Sequence, residues 1–232
     1  MEITRINRAD ALRYMGYRAA PDEQTTALID KCEERLLNAA KPRYVWRVFD
    51  LERFAEHPVE RPDGYSEELR LSGCGFALSG ESIRGHLNGC EKAAVIASTL
   101  SADTDRFLKK AALEDGLTGL VCDALASAYA EQVSEQVCAE VLNFIEGFSG
   151  TWIFASGYGD FPLETASFLI ECVDAGRKIG VSCTDSCMLI PQKTIVGIMG
   201  LSRAPIDNAR RGCENCNMKD TCQFRKNGSH CK

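Results

Sequence analysis

The chain has 232 residues, 45% of them hydrophobic and 26% charged, a composition that supports a packed core and excludes a disordered or low-complexity polymer. The formal net charge of −6 argues against general nucleic-acid binding, and no apolar run approaches the roughly 18 residues needed to cross a bilayer, so neither nucleic acid nor membrane is an expected partner. Twelve cysteines without an export signal at the N-terminus read as a reducing, cytoplasmic setting, where clustered thiols serve as metal ligands or redox groups rather than as a disulfide framework.

The expected elements begin with helix. Asn7 or Asp10 can cap a short helix ending near Gly16, and Pro21-Asp22-Glu23 opens a longer one with Leu28, Ile29, Cys32, Leu36 and Leu37 at helical spacing. Lys41-Pro42 ends this helical first stretch of about 40 residues. Residues 44–49 are rich in β-branched and aromatic side chains and predict a strand; the charged, proline-containing stretch 50–68 predicts a short helix and a loop. A glycine-interrupted strand over 69–78, a short helix over 79–87 and a buried strand over 93–99 follow. Between residues 101 and 147 Leu117, Val121, Leu125, Tyr129, Val133, Val137, Val141 and Ile145 recur every fourth position, the apolar stripe of one long helix, with Glu131, Glu135 and Glu140 among its polar positions. Strands are expected at 152–155, 178–184 and 194–201, and a helix at 162–174. These elements predict an α+β fold with a mixed or antiparallel sheet flanked by helices, one of them long, occupying 1–202. The remaining 203–232 form a cysteine-rich tail without hydrophobic periodicity, net positive with seven Lys/Arg against three Asp/Glu.

Two stretches carry chemical signals. In Ala155-Ser156-Gly157-Tyr158-Gly159 two glycines flank a tyrosine, giving a loop whose backbone can approach a ligand closely, and Asp160, Pro162 and Glu164 then lead into a helix start. The segment from Thr184 to Gly197 reads as strand, proline turn and strand, with Cys183 and Cys187 expected as core thiols. Cys32, Cys74, Cys90, Cys122, Cys138 and Cys172 fall within element patterns as small core hydrophobes, His86 as a helix-end residue and His57 as a surface residue. No P-loop and no Gly-x-Ser-x-Gly nucleophile motif occurs, and no catalytic residue is assigned.

Gly157-Tyr158, followed by Met188-x-x-Pro191 and Gly197, resembles the reactivation (activation) domain of vitamin-B12-dependent methionine synthase in its stand-alone form. Lys41-Pro42-Arg43-Tyr44, Gly89-Cys90-Glu91-Lys92, Thr99-Leu100 and Asp123-Ala124 extend the resemblance upstream with less specific residues. It implies an activation-domain-like fold and an accessory subunit of a corrinoid-dependent methyltransferase. Such a subunit binds S-adenosylmethionine through Ala155, Ser156, Gly157, Tyr158 and Gly159 and docks over cobalamin held by the partner, with an electron donor such as flavodoxin or ferredoxin. The family's loop arginine, which pairs with the ligand carboxylate, falls at Ile153, and its loop proline at Ser156; an aliphatic side chain cannot make that pair, so weaker binding is expected. The only His-x-x-Gly, starting at His86, has Arg84 where a base-off cobalamin motif needs Asp, which places the corrinoid on the partner.

In the tail, Cys213, Cys216, Cys222 and Cys231 form a candidate four-thiolate set for zinc or an iron–sulfur cluster, with Cys231 the least regular in spacing. The residues alone therefore leave a second reading open, an iron–sulfur or zinc-bearing electron-transfer or interaction protein whose tail carries the function.

Overall fold

Several helices in this chain start where a polar side chain takes up amides that the first turn leaves free. The computed structural model describes residues 3–55, 67–206 and 223–226. Helix α1 (Arg8–Tyr14) begins at Asn7, whose side chain accepts from the Ala9 and Asp10 amides, and α2 (Glu23–Ala39) at Asp22, which accepts from the Thr25 amide. The α2 face predicted by spacing is the buried one, with Ile29, Cys32 and Leu36 closed to solvent.

Strands β1 (Arg43–Ala55), β2 (Glu67–Leu71) and β3 (Ala77–Leu78) precede α3 (Glu81–His86) and β4 (Lys92–Thr99). The helix expected within 50–68 is absent among the described residues there: β1 continues to Ala55, because Leu51 to Ala55 pair antiparallel with β2. Two helices, α4 (Ala102–Glu114) and α5 (Gly116–Phe144), replace the single long one expected between 101 and 147. The break is at Asp115, whose backbone is extended (φ −165°) and whose carboxylate accepts from the Thr118 amide 2.9 Å away, starting a new helix. Leu117 consequently lies outside the apolar seam and is more than half exposed.

The second half contributes short edge segments β5 (Ser149–Gly150) and β6 (Phe154–Ala155), helices α6 (Thr165–Cys172) and α7 (Ala175–Ile179), the hairpin β7 (Ser182–Cys183) and β8 (Leu189–Ile190), and the long β9 (Thr194–Ser202). A final turn, α8 (Gln223–Lys226), lies in the tail. The strand expected over 178–184 begins as helix instead, because Asp174 in the left-handed region starts α7 and Gly180 ends it. All sheet pairings are antiparallel, in the order β3-β2-β1-β4-β9-β5, with β6 also paired to β9.

Helices cover both faces of this sheet. Val95 and Ala97 of β4 with Val196 and Ile198 of β9 pack against Leu169, Ile170 and Ile179 of α6 and α7. Ala94 and Ile96 with Met199 and Leu201 pack on the opposite face against Val137 and Val141 of α5. Glu140 fastens this face further, accepting from the Tyr44 hydroxyl at 2.6 Å and from the Trp46 indole N–H at 3.0 Å. The first half of α5 packs with α1, α2 and α4 into a helical layer around Leu36, Leu100, Leu125 and Val133, where Cys32 and Cys122 meet as a buried hydrogen-bonded pair. Among the described residues no helix is long and apolar enough to cross a membrane.

Candidate functional site

The site is built on an irregular sheet edge. β5 and β6 both pair with β9, and Thr151, Trp152 and Ile153 bulge out between them while the Thr151 amide still donates to Gly200 O at 2.9 Å. The bulge needs glycine on β9: a side chain at Gly197 would begin 2.5 Å from Ile153 Cγ2 and 2.7 Å from Phe154 O. The Thr151 hydroxyl sits 2.7 Å from His86 Nε2, and the His86 ring packs edge-on to Trp152, so the helix-end histidine expected from sequence braces the bulge from inside.

Directly after β6 comes the glycine–tyrosine–glycine loop. Gly157 and Gly159 adopt φ of +86° and +60°, the left-handed region that glycine enters without strain. The loop closes on itself: the Gly157 amide donates to Phe161 O, the Tyr158 amide to Ala155 O and the Phe161 amide to Tyr158 O. Asp160 ties it to α3 rather than capping the helix that follows, its carboxylate accepting from the Glu81 and Ser82 amides at 2.7 and 2.8 Å. Burial pushes the Asp160 carboxyl up, but the donors from Ser82 and Glu81 outweigh it and hold it below the ordinary carboxyl range. Tyr158 stands half exposed, its ring 5.8 Å from Trp152 and 5.7 Å from Phe154.

Between this loop, the bulge and the outer face of α5 opens a cleft of about 470 Å3. Ala155, Ser156 and Tyr158 line it, whereas Gly157 and Gly159 shape the turn behind them. The Ser156 hydroxyl oxygen is closed to solvent and has no hydrogen-bond partner among the described residues. Ile153 forms part of the wall, at the position where the resemblance expected a cation. Cys187, expected in the core, faces the cleft from the turn between β7 and β8 at φ +62°, because its amide closes that turn on Thr184 O. Cys183 packs on the core edge, and burial with Cys187 beside it pushes its thiol up.

The opposite wall was missed from sequence. Glu131, Ser134, Glu135 and Cys138 of α5 line it, and their only prior signal was two glutamates four residues apart, the spacing of one helical face. The Tyr14 hydroxyl donates to Glu131, fixing that carboxylate from α1. Elsewhere Cys74 and Cys172, expected as core residues, are only partly buried and lie Sγ to Sγ at 3.6 Å across the first-named sheet face. Cys213, Cys216, Cys222, Cys231 and His57 lie outside the described residues, and among the described residues no group of three or more His, Cys, Asp or Glu side chains is placed to hold a metal ion.

No family model and no curated protein sequence matches the chain. Among solved structures, the crystal structure of the MetH reactivation domain bound to AdoHcy aligns with a TM-score of 0.54 at 15% identity, covering 97% of this chain and 82% of that one. The chain has the fold of the MetH reactivation domain. The antiparallel sheet, the helices on its faces and the long α5 are the elements expected for a reactivation domain. In this reactivation-domain fold the cleft lies at the bulged sheet edge, where α5 packs on β5 and β9.

Proposed function

We propose that this chain is an accessory reactivation protein for a corrinoid-dependent methyltransferase, with methionine synthase as the expected partner, and that its cleft binds S-adenosylmethionine. One observation carries the reading: the loop singled out in the sequence borders a cleft of small-molecule size, on a fold whose solved counterpart is described as bound to AdoHcy. The walls fit such a ligand in most respects. Trp152 and Tyr158 offer aromatic surface to an adenine, and the buried Ser156 hydroxyl offers one hydrogen bond. The Glu131 and Glu135 carboxylates favour a sulfonium over a neutral thioether. Ile153 leaves the ligand's carboxylate without the cation that the resemblance would supply.

Bound S-adenosylmethionine supplies a methyl group to cobalamin on the partner, with the accompanying electron delivered by a flavodoxin- or ferredoxin-like donor. This chain's residues position and shield. Tyr158 and Leu163, each about half exposed at the cleft, together with Met188 and Ile190 on the adjoining hairpin, give apolar surface for docking over the corrinoid. The test is calorimetric titration with S-adenosylmethionine, with and without the corrinoid protein, alongside recovery of methyltransferase activity from the oxidised Co(II) enzyme. Binding that strengthens with the corrinoid protein present, and recovery that depends on this chain, are expected. Absence of binding in both titrations refutes the reading.

A further inference from the structure

Two segments far apart in the chain present thiols to each other on the sheet face covered by α6. Just after β2 the Cys74 amide donates to Leu71 O at 3.0 Å, closing a turn. Cys172 is the last residue of α6. The two cysteines lie 98 positions apart in sequence, and their sulfurs stand 3.6 Å apart. One helical turn back on α6, Phe168 stacks on Phe76 with ring centroids 3.9 Å apart and planes 24° from parallel. Phe76 stands two residues beyond Cys74 and Phe168 four residues before Cys172, so one ring stack holds both segments in register and brings the thiols together.

A disulfide holds its sulfurs about 2.05 Å apart, so these must close by roughly 1.5 Å, a distance within the reach of side-chain rotation. The other cysteine couples differ in kind. Cys32 and Cys122 are both fully closed to solvent, and Cys183 and Cys187 belong to a single hairpin turn, so that joining them ties no separate elements. Cys74 and Cys172 are partly exposed and belong to separate elements. Burial, and then the hydrogen bond with Cys74, push the Cys172 thiol up to about 12, which keeps it protonated and leaves Cys74 to react first.

We propose that Cys74 and Cys172 form a redox modification site, oxidised by low-molecular-weight disulfides such as glutathione disulfide to an intramolecular disulfide that locks α6 onto the turn after β2. The Cys74 thiolate attacks one sulfur of the oxidant and displaces the other as a thiol, leaving a mixed disulfide on Cys74. Cys172 then gives its proton to solvent, attacks Cys74 Sγ and releases the second small thiol. Both protein thiols have lost their hydrogens, and one small disulfide has been reduced to two thiols. The staple sits at the far end of a helix whose first turn, at Ala166, lines the cleft. Oxidation therefore fixes α6 from behind and leaves the cleft open, whichever ligand the cleft takes.

The experiment incubates the full chain with glutathione disulfide, blocks the remaining thiols with iodoacetamide and maps the non-reduced digest by mass spectrometry. A peptide pair joining Cys74 to Cys172, parted again by dithiothreitol, is expected. Closing a loop of that length should raise the thermal midpoint by roughly 10 °C. Cys172→Ser should stop at glutathionylated Cys74 and lose the rise, and Cys74→Ser should leave Cys172 free for alkylation. The map is made on the unaltered chain, so it decides the matter even where a variant folds poorly. Alkylation of both thiols, a mixed disulfide on Cys74 that never resolves, a Cys183–Cys187 cross-link in place of this one, or a cross-link that leaves the midpoint unchanged overturns the inference.

Discussion

Removing the Asp160 carboxylate tests how the ligand loop is held. The carboxylate accepts two backbone amides of α3 at 2.7 and 2.8 Å, while the Asp160 amide reaches the Ser82 hydroxyl at 3.4 Å. Among the described residues no other side chain caps this helix, because its N-cap is Gly80, whose φ of +118° and 2.9 Å clearance to Asp160 O leave no room for a side chain. Asp160→Ala therefore costs α3 its cap and the loop its anchor in a single change. Loss of a helix cap costs about 0.5–2 kcal/mol, and solvent at this exposed carboxylate places the value near 1 kcal/mol. A carboxyl whose value is lowered on folding contributes its stability above the ordinary 3.8 and loses it as pH falls through the lower folded value. Urea unfolding of the two proteins should thus show a gap at neutral pH that closes in acid below 3.8. Asp160→Asn keeps one acceptor and should fall between them. Titration with S-adenosylmethionine should show weaker binding by Asp160→Ala, since Tyr158 and Ser156 lose their common support. A variant with unchanged stability and unchanged affinity would refute the idea that Asp160 positions the loop.

The other predictions concern the cleft and the N-terminal layer. Tyr158→Ala should weaken ligand binding and reactivation while changing unfolding free energy by less than about 1 kcal/mol, because the ring is half exposed; a large loss of stability with unchanged binding would contradict this. Ile153→Arg should tighten binding of carboxylate-bearing nucleosides by on the order of 30- to 150-fold if the guanidinium reaches the carboxylate, and should not help a ligand lacking that group, as titration with S-adenosylmethionine and its decarboxylated form would reveal. Glu33→Ala should destabilise the chain by about 2 kcal/mol in denaturant unfolding, because buried Glu33 accepts from the Ile6 amide at 2.7 Å and pairs with Arg8; the buried Ile6 amide would lose its acceptor, whereas Arg8 keeps Asp30. A loss under 1 kcal/mol would show that the segment before α1 re-solvates freely.

The sequence carried the fold best where one signal had one cause. The run of small apolar residues from Ala93 to Ala97 reads as a strand covered on both sides, and each of these residues is closed to solvent. Asp22 locates the start of α2, and the spacing of Ile29, Cys32 and Leu36 its buried face. The four-residue stripe was less reliable, because one helix was read from about residue 101 with Leu117 on its apolar face, although Leu117 is exposed; periodicity registers hydrophobicity, and only the cap chemistry of Asp115 and Thr118 marks the break. The charged stretch after Phe49 conceals a strand because Glu52, Arg53 and Phe54 face outward or pair along an edge rather than alternating into a core. At the site, Tyr158 and its glycines were legible since a positive φ demands glycine. The facing wall was not, since Glu131 and Glu135 look in sequence like any solvated helix face until the fold brings β6 opposite them.

The central position of β4 sets which protons of this molecule are slowest to leave. Its residues Ala93 to Ala97 are screened by helices on both faces and hydrogen-bonded to β1 and β9 on both sides, so no local opening brings water to their amides. Deuterium reaches them only when the whole sheet comes apart, and their exchange rates therefore record global unfolding. The Gly157 and Tyr158 amides, bonded only within their own turn, exchange by the opening of that turn alone. A single deuterium-exchange time course thus holds an internal standard: a ligand that slows Tyr158 without slowing Val95 is seated at the loop, and one that slows both stabilises the entire fold.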